Sequence, residues 1–168
     1  MDKVIIYKDK VKEQRKIAIQ RDLTKEAYQK QLNVINLIYF NKDNPSCTLY
    51  VKELQDKLKG YQRQDKHKWC VRRVNDTETL KKETISWDEL IELLVTSKLV
   101  CSYCRCCVYV LYDASKDPQQ WTLDRIDNTE HHHRDNCVIS CLKCNLEKGN
   151  KSDKAFRFTK QLKIIKKE

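Results

Sequence analysis

The chain has 168 residues, 40% of them hydrophobic and 35% charged, with a net charge of +10 and only two Gly and two Pro. That length fits one domain, or one domain with a helical extension, and the composition excludes a low-complexity or collagen-like chain. No run approaches the ~18 apolar residues of a membrane span, the start from Met1 to Lys10 lacks the apolar centre of a signal peptide, and the positive balance favours a polyanionic partner, nucleic acid or an acidic membrane surface.

Residues 1–83 are expected to be mostly helical. Thr24 is placed to cap a segment in which Ala27, Tyr28, Leu32, Ile35 and Ile38 recur at helical spacing. The polar run 41–46, with Pro45, reads as a loop. A second, short helix carries Leu49, Leu54 and Leu58, and Gly60 is expected to stop it. From 57 to 73 the chain is basic: Lys57, Lys59, Arg63, Lys66, Lys68, Arg72 and Arg73 are opposed only by Asp65, with Tyr61, His67 and Trp69 interleaved. Cations in such a run neutralise phosphates while the rings stack on bases; a solvated helix face with Trp69 in the core explains the same residues.

Ser86 followed by Glu89 is a capping box. It opens a helix with Leu90, Ile91, Leu93, Leu94 and Val95 that should end near Ser97 and deliver the chain to Cys101. A module boundary is placed just before it, dividing a helical, basic region 1–83 from a C-terminal module 84–168. The fold class expected is α+β.

Nine cysteines are present, and seven lie between 101 and 144. An odd count with no signal peptide argues against a secreted disulfide framework. Cys101-x-x-Cys104 and Cys141-x-x-Cys144 are two pairs, each able to aim two sulfurs from one tight turn at a tetrahedral ion. One structural Zn²⁺ per chain is expected on these four, with Cys106, Cys107 and Cys137 as small buried hydrophobes. A cross-braced pair of sites, drawing on Cys106 or Cys107 with His132 and Cys137, is the alternative.

Between the pairs, Leu123 and Ile126 suggest a strand running into a turn, Val138 and Ile139 a second strand, and Cys144 to Phe156 a helix. A hairpin followed by a helix can aim a carboxylate at a helix residue across a small cleft, so that Asp124 and Asn145 both supply oxygens to a hard cation such as Mg²⁺.

The residues Cys101-x-x-Cys104, Leu123-Asp124-Arg125-Ile126-Asp127-Asn128, Asp135-Asn136 and Cys141-x-x-Cys144-Asn145-x-x-Lys148 resemble an HNH endonuclease of the ββα-metal (His-Me finger) type, in its version with two zinc knuckles. Residues 101–152, about a third of the chain, carry the likeness, and its Leu-Asp-Arg-Ile-Asp-Asn form is similar to a subgroup in phages, large DNA viruses and mobile elements. The resemblance implies a small zinc-stapled ββα-metal module that hydrolyses DNA phosphodiester bonds with Mg²⁺ or Mn²⁺, leaving 5′-phosphate and 3′-hydroxyl ends. It implies that Asp124 and Asn145 hold the catalytic metal, that Asn136 orders the hairpin loop and helps position the base, and that Lys148 meets the phosphate.

One position departs from the pattern. Where the family carries a His after the metal-binding Asp, this chain has Arg125, which stays protonated and cannot act as a base. Its guanidinium can clamp the scissile phosphate instead. The base is then sought among His131, His132 and His133 in the hairpin loop, with His132 taken as catalytic, or at Asp127, which reads more simply as a turn former. Arg125 equally suits a second reading, a zinc-stabilised DNA-binding module without catalysis. The expected partner is double-stranded or branched DNA, with no membrane and a homodimer left open. Its contacts are Lys59, Arg63, Lys66, Lys68, Arg72, Arg73, Lys148, Lys151 and Lys154. The expected location is inside the cell, in cytoplasm or nucleus, or in a host as a phage or viral protein.

Overall fold

The computed structural model describes residues 25–41, 44–72, 84–112 and 114–162, without the side chains of 68–72. Thr24, Arg73 and the side chains of Lys68, Trp69 and Arg72 therefore lie outside the described residues. The architecture is α+β: among the described residues, five α-helices pack with one two-stranded antiparallel sheet. No helix among the described residues is long and apolar enough to cross a membrane.

Helix α1 (Lys25–Tyr39) buries Gln31, Val34, Ile35 and Ile38, an i, i+3, i+4, i+7 stripe. Its Gln31 side chain accepts the Val110 N–H at 2.8 Å. A 3-10 turn at Pro45–Cys47, capped by Asn44, leads into α2 (Thr48–Arg72). Here the structure corrects the sequence reading: α2 runs for 25 residues straight through Gly60. A mid-helix glycine costs about 1 kcal/mol relative to alanine, and contacts on both sides of it outweigh that. Leu54 and Leu58 are buried before it, and Tyr61 and Asp65 are anchored after it.

Helix α3 (Trp87–Ser97) starts at the capping box, with the Glu89 N–H on Ser86 Oγ and Glu89 Oε2 taking the Ser86 N–H at 2.8 Å. It ends where Lys98 and Leu99 both take left-handed φ, 53° and 50°. For a non-glycine residue that conformation costs roughly 1–2 kcal/mol, which the full burial of Leu99 offsets. The two residues turn the chain towards Cys101.

Strand β1 (Trp121–Arg125) pairs with β2 (Cys137–Cys141) in the register Trp121↔Cys141, Leu123↔Ile139 and Arg125↔Cys137. Helix α4 (Leu142–Lys148) follows β2 without a break. It does not continue through Phe156, as the sequence reading expected. Gly149 takes φ 49°, and Ser152 caps a separate helix, α5 (Asp153–Gln161). One hydrophobic core runs from Val34, Ile35 and Ile38 through Leu54, Leu58, Leu90 and Leu94 to Trp121, Leu123, Ile139 and Phe156.

On the outer edge of β1 the Trp121 N–H bonds Tyr109 O at 2.9 Å, and side chains take three further backbone groups. Lys57 Nζ donates to Trp121 O at 2.8 Å, the Leu123 N–H donates to Tyr61 Oη at 3.0 Å, and Lys148 Nζ donates to Arg125 O at 2.6 Å. Four residues beyond Tyr61, Asp65 takes His132 by both its N–H and its Nδ1, each at 2.9 Å, with Thr84 Oγ1 at 3.2 Å. Lys57, Tyr61 and Asp65, at i, i+4 and i+8, thus form one docking face of α2. Burial lowers the Lys57 ammonium to about 8 although Glu53 opposes it, and burial raises the Tyr61 phenol to about 12.

Burial alone would raise the Asp65 carboxyl, but His132 and Thr84 together hold it below its ordinary value. A depressed carboxylate contributes stability that is present above its unfolded pKa of about 3.9 and lost as pH falls through the folded value. Asp65→Asn should therefore destabilise the zinc-loaded protein by about 1–3 kcal/mol near neutral pH, measured by urea denaturation. No measurable loss in Asp65→Asn would show that the carboxylate's bonds to His132 and Thr84 add nothing to the fold.

Candidate metal centre and active site

The first cysteine pair sits on a tight turn. The Arg105 N–H bonds Cys101 O at 3.1 Å, the Cys101 N–H bonds Cys106 O at 2.8 Å, and the Ser102 N–H ties the turn to β2 through Ile139 O at 2.9 Å. The second pair is the start of α4 itself, where Cys141 Sγ accepts the Cys144 N–H as an N-cap. The sulfurs of Cys101, Cys104, Cys141 and Cys144 all lie within 4.8 Å of one another. A tetrahedron with Zn–S bonds of about 2.3 Å has edges of roughly 3.8 Å, and Cys104 and Cys141 are 3.8 Å apart. Burial, and next the neighbouring Cys101 sulfur, push the Cys144 thiol above its ordinary range. Thiolates gathered this closely need a cation to hold them, and the four cysteines fit a structural zinc site. Among the described residues no other group of His, Cys, Asp and Glu has such geometry.

The other cysteines differ from one another. Cys137 is buried opposite Arg125 in the sheet, and Cys107 bridges to Val100. Cys106 is only half-buried and lies 3.3 Å from Cys104, sulfur to sulfur. It is a fifth thiol beside the cluster, not the apolar filler that the sequence suggested.

Asp124 lies on β1, joined to the first cysteine turn through Tyr103, and is only 6% exposed. Its Oδ2 accepts the Tyr103 hydroxyl at 2.5 Å and stands 3.3 Å from Lys148 Nζ. Its Oδ1 receives no hydrogen bond from the described residues. The Lys148 side chain is fully buried. Burial pushes the Asp124 carboxyl up, and Tyr103 and Lys148 pull it only part of the way back. Asn145 is one helical turn before Lys148, on the same side of α4. It is half-buried, and its amide makes no hydrogen bond among the described residues. A carboxylate oxygen and an amide oxygen are the ligand types a hard cation such as Mg²⁺ takes, together with several waters.

Asn136 orders the hairpin loop. Its Oδ1 accepts the Asp127 N–H at 2.8 Å, and its Nδ2 donates to Asp127 O at 2.9 Å and His131 O at 3.0 Å. Asp127 is an exposed turn former holding Thr129 by N–H and hydroxyl, at 2.8 and 2.7 Å. Arg125 reaches over the same loop, with Nη1 on Glu130 O at 3.0 Å and Asn128 O at 3.4 Å. Its Nη2 and Nε make no bond among the described residues. His132 is buried against Tyr61 and Asp65, whereas His133 Nε2 lies 2.5 Å from Glu130 Oε2.

Lys59, Arg63 and Lys66 are exposed on α2 at i, i+4 and i+7, beside a shallow groove shared with Asp56 and Gln62. Lys151 and Lys154 are exposed before and within α5. Sequence reasoning missed Tyr103, Asp153 and the role of Asp65. Tyr103 occupies one of the two unspecified positions of Cys-x-x-Cys, where attention goes to the sulfurs. Asp65 looked like a stray acid in a basic run.

No protein-family model matches the chain, and no curated protein or solved structure matches it either.

Serine at Cys101, Cys141 or Cys144 should abolish zinc binding and unfold the hairpin, because metal affinity here is folding free energy. The metal-to-protein ratio of purified variants measures this against one zinc per chain in the wild type. Cys106→Ser should keep that ratio at one. Cys104→Ser should lose less zinc affinity than Cys144→Ser, because the Cys106 sulfur stands next to the vacated position.

Proposed function

We propose that the chain is a divalent-metal-dependent endonuclease of the HNH type, acting on DNA inside the cell. The observation that carries this reading is Asp124: a buried carboxylate with one oxygen fixed by Tyr103 and Lys148 and the other without a hydrogen bond among the described residues. It sits on a β-hairpin followed by a helix whose Asn145 amide likewise has none. Asp124 and Asn145 would hold Mg²⁺ or Mn²⁺. When bound, such an ion polarises the phosphodiester and makes a water acidic enough to attack it.

The remaining work falls to this chain's own groups. Arg125 has two guanidinium nitrogens left for a phosphate oxygen after the loop has taken Nη1. His132 is the proposed base, because Asp65 on Nδ1 fixes the ring and its tautomer and leaves Nε2 to accept a proton. Lys59, Arg63 and Lys66, with Lys151 and Lys154, would bind the DNA backbone. The Arg125 brace on the loop and the Lys148 contact on Asp124 also suit an inactive DNA-binding module, and catalysis separates the two readings.

Plasmid DNA incubated with Mg²⁺ or Mn²⁺ should be cut by the wild type, and not in EDTA or by Asp124→Ala. Arg125→Ala should slow cleavage by roughly 10²–10³, the effect of losing one charged stabiliser. His132→Ala should remove the limb of the pH–rate profile that rises with pH. A wild type that cuts no DNA form, or cuts no better than Asp124→Ala, refutes the nuclease; activity created by Arg125→His would favour a module that lost its base.

Binding has its own signature. Each phosphate contact steepens the fall of log K with log salt by about 0.9 on duplex DNA. Replacing Lys59, Arg63 and Lys66 by Ala should therefore flatten the slope by about 2.7, measured by fluorescence anisotropy, while zinc content stays unchanged.

A further inference from the structure

We propose that Tyr103 is a positioning residue that couples the thiolate cluster to divalent-cation binding at Asp124, so that cation affinity at Asp124 depends on an assembled cluster. This rests on the reading of Asp124 as a metal ligand.

Tyr103 lies between two of the four sulfur ligands, Cys101 and Cys104, so its backbone is placed by the cluster. β2 fixes the turn through the bond from the Ser102 N–H to Ile139 O, and Gln161 of α5 donates to Tyr103 O at 3.2 Å. The ring is completely buried. It packs edge-on against Phe156, with centroids 5.0 Å apart, and under the Arg157 guanidinium at 5.3 Å. Packing thus accounts for the ring but not for the hydroxyl, since phenylalanine would fill the same space.

The hydroxyl has one proton and two carboxylates within reach. Asp124 Oδ2 is at 2.5 Å and Asp153 Oδ1 at 3.0 Å. Arg157 already meets Asp153 on both oxygens, at 3.2 and 3.3 Å. The proton is therefore given to Asp124, where the need and the proximity are greater. Tyr103 and Lys148 both converge on Oδ2, which fixes the carboxylate plane and keeps Oδ1 open. A ligating carboxylate held in this way by an outer hydrogen bond binds its ion without first ordering itself, and loss of such a partner typically costs 10–100-fold in metal affinity. Releasing the knuckle moves Tyr103, and Asp124 loses that bond. The link is thermodynamic and works in both directions: a cation at Asp124 must strengthen zinc in the cluster by the same factor.

The test uses the full zinc-loaded chain and Mn²⁺ as probe, with free Mn²⁺ followed by electron paramagnetic resonance. Tyr103→Phe should retain one zinc per chain and bind Mn²⁺ 10–100-fold more weakly. Cleavage should recover towards wild type at saturating Mn²⁺, a change in the metal requirement rather than in turnover. As a second measurement, Mn²⁺ should make zinc harder to remove by a zinc-selective chelator in the wild type, and this protection should vanish in Tyr103→Phe. Equal Mn²⁺ affinity in Tyr103→Phe and wild type, with Asp124→Ala binding none, overturns the coupling and leaves the nuclease reading standing. No Mn²⁺ binding by the wild type, or undiminished binding by Asp124→Ala, overturns the metal site itself and the coupling with it.

Discussion

Holding four thiolates on one ion requires residues 101–104 and 141–144, far apart in sequence, to meet at a single point. That closure organises the C-terminal half of the molecule. The first turn is the exit from α3, reached through the left-handed pair Lys98 and Leu99. The second is the junction of β2 with α4, where Cys141 ends the strand and caps the helix in one residue. Joining the two sets the level of β1 against α4, and so sets Asp124 against Lys148. A sheet of only two strands is marginal on its own in water. Here a metal-type cluster at one end and helices along one edge take the place of further strands.

The edge of β1 shows how the rest of the chain is recruited. An open strand edge presents N–H and C=O groups that must be paired or exposed to water. α2 supplies Lys57 and Tyr61 to that edge and α4 supplies Lys148. Asp65 extends the same helical face to the hairpin loop at His132. The described side chains of the basic run, 57–67, therefore divide between two faces. Lys57, Tyr61 and Asp65 dock inward, and Lys59, Arg63 and Lys66 face solvent. A count of charges alone does not separate them, but their three- and four-residue spacing does.

Much of this was legible in the sequence where a local rule decides the outcome. The capping box at Ser86 and Glu89 and the hairpin around Leu123 and Ile139 follow from side-chain chemistry a few residues apart, and the meeting of two Cys-x-x-Cys turns follows from the four ligands one ion requires. The misreadings came where a distant contact overrides the local preference. Gly60 reads as a helix stop until α2 is anchored beyond it by Tyr61 and Asp65. Conversely, the helical pattern after Cys144 reads as continuous, yet Gly149 takes a positive φ and Asn128 of the hairpin loop donates to its carbonyl at 2.7 Å. Cys106 reads as apolar filler because nothing local reveals that its sulfur lies beside Cys104. Of the candidate site, Asp124 and Asn145 come from the pattern of a hairpin followed by a helix, and Asn136 and Lys148 from the family resemblance alone. Tyr103 and Asp153 come from neither, since their relation to Asp124 exists only after the knuckle, the strand and α5 have come together.

The two donors on Asp124 are not equivalent, and the difference bears on what the site can do. A buried Lys–Asp pair is a weak source of stability, because desolvating both charges consumes most of the attraction between them. Lys148 has a second reason to be there, the Arg125 carbonyl at 2.6 Å, so the edge of β1 retains it even if Asp124 is otherwise engaged. Its positive charge opposes any cation arriving at Asp124. The Tyr103 hydroxyl is neutral, and it can keep its bond to Oδ2 while Oδ1 faces a cation. On the proposed reading, Lys148 keeps the buried carboxylate balanced when no cation is present, and Tyr103 keeps it aimed when one is. Both donors are set by the same event, because α4 begins at Cys141 and Tyr103 lies between Cys101 and Cys104. The cluster that closes the fold therefore also determines the charge and the direction of the carboxylate beside it.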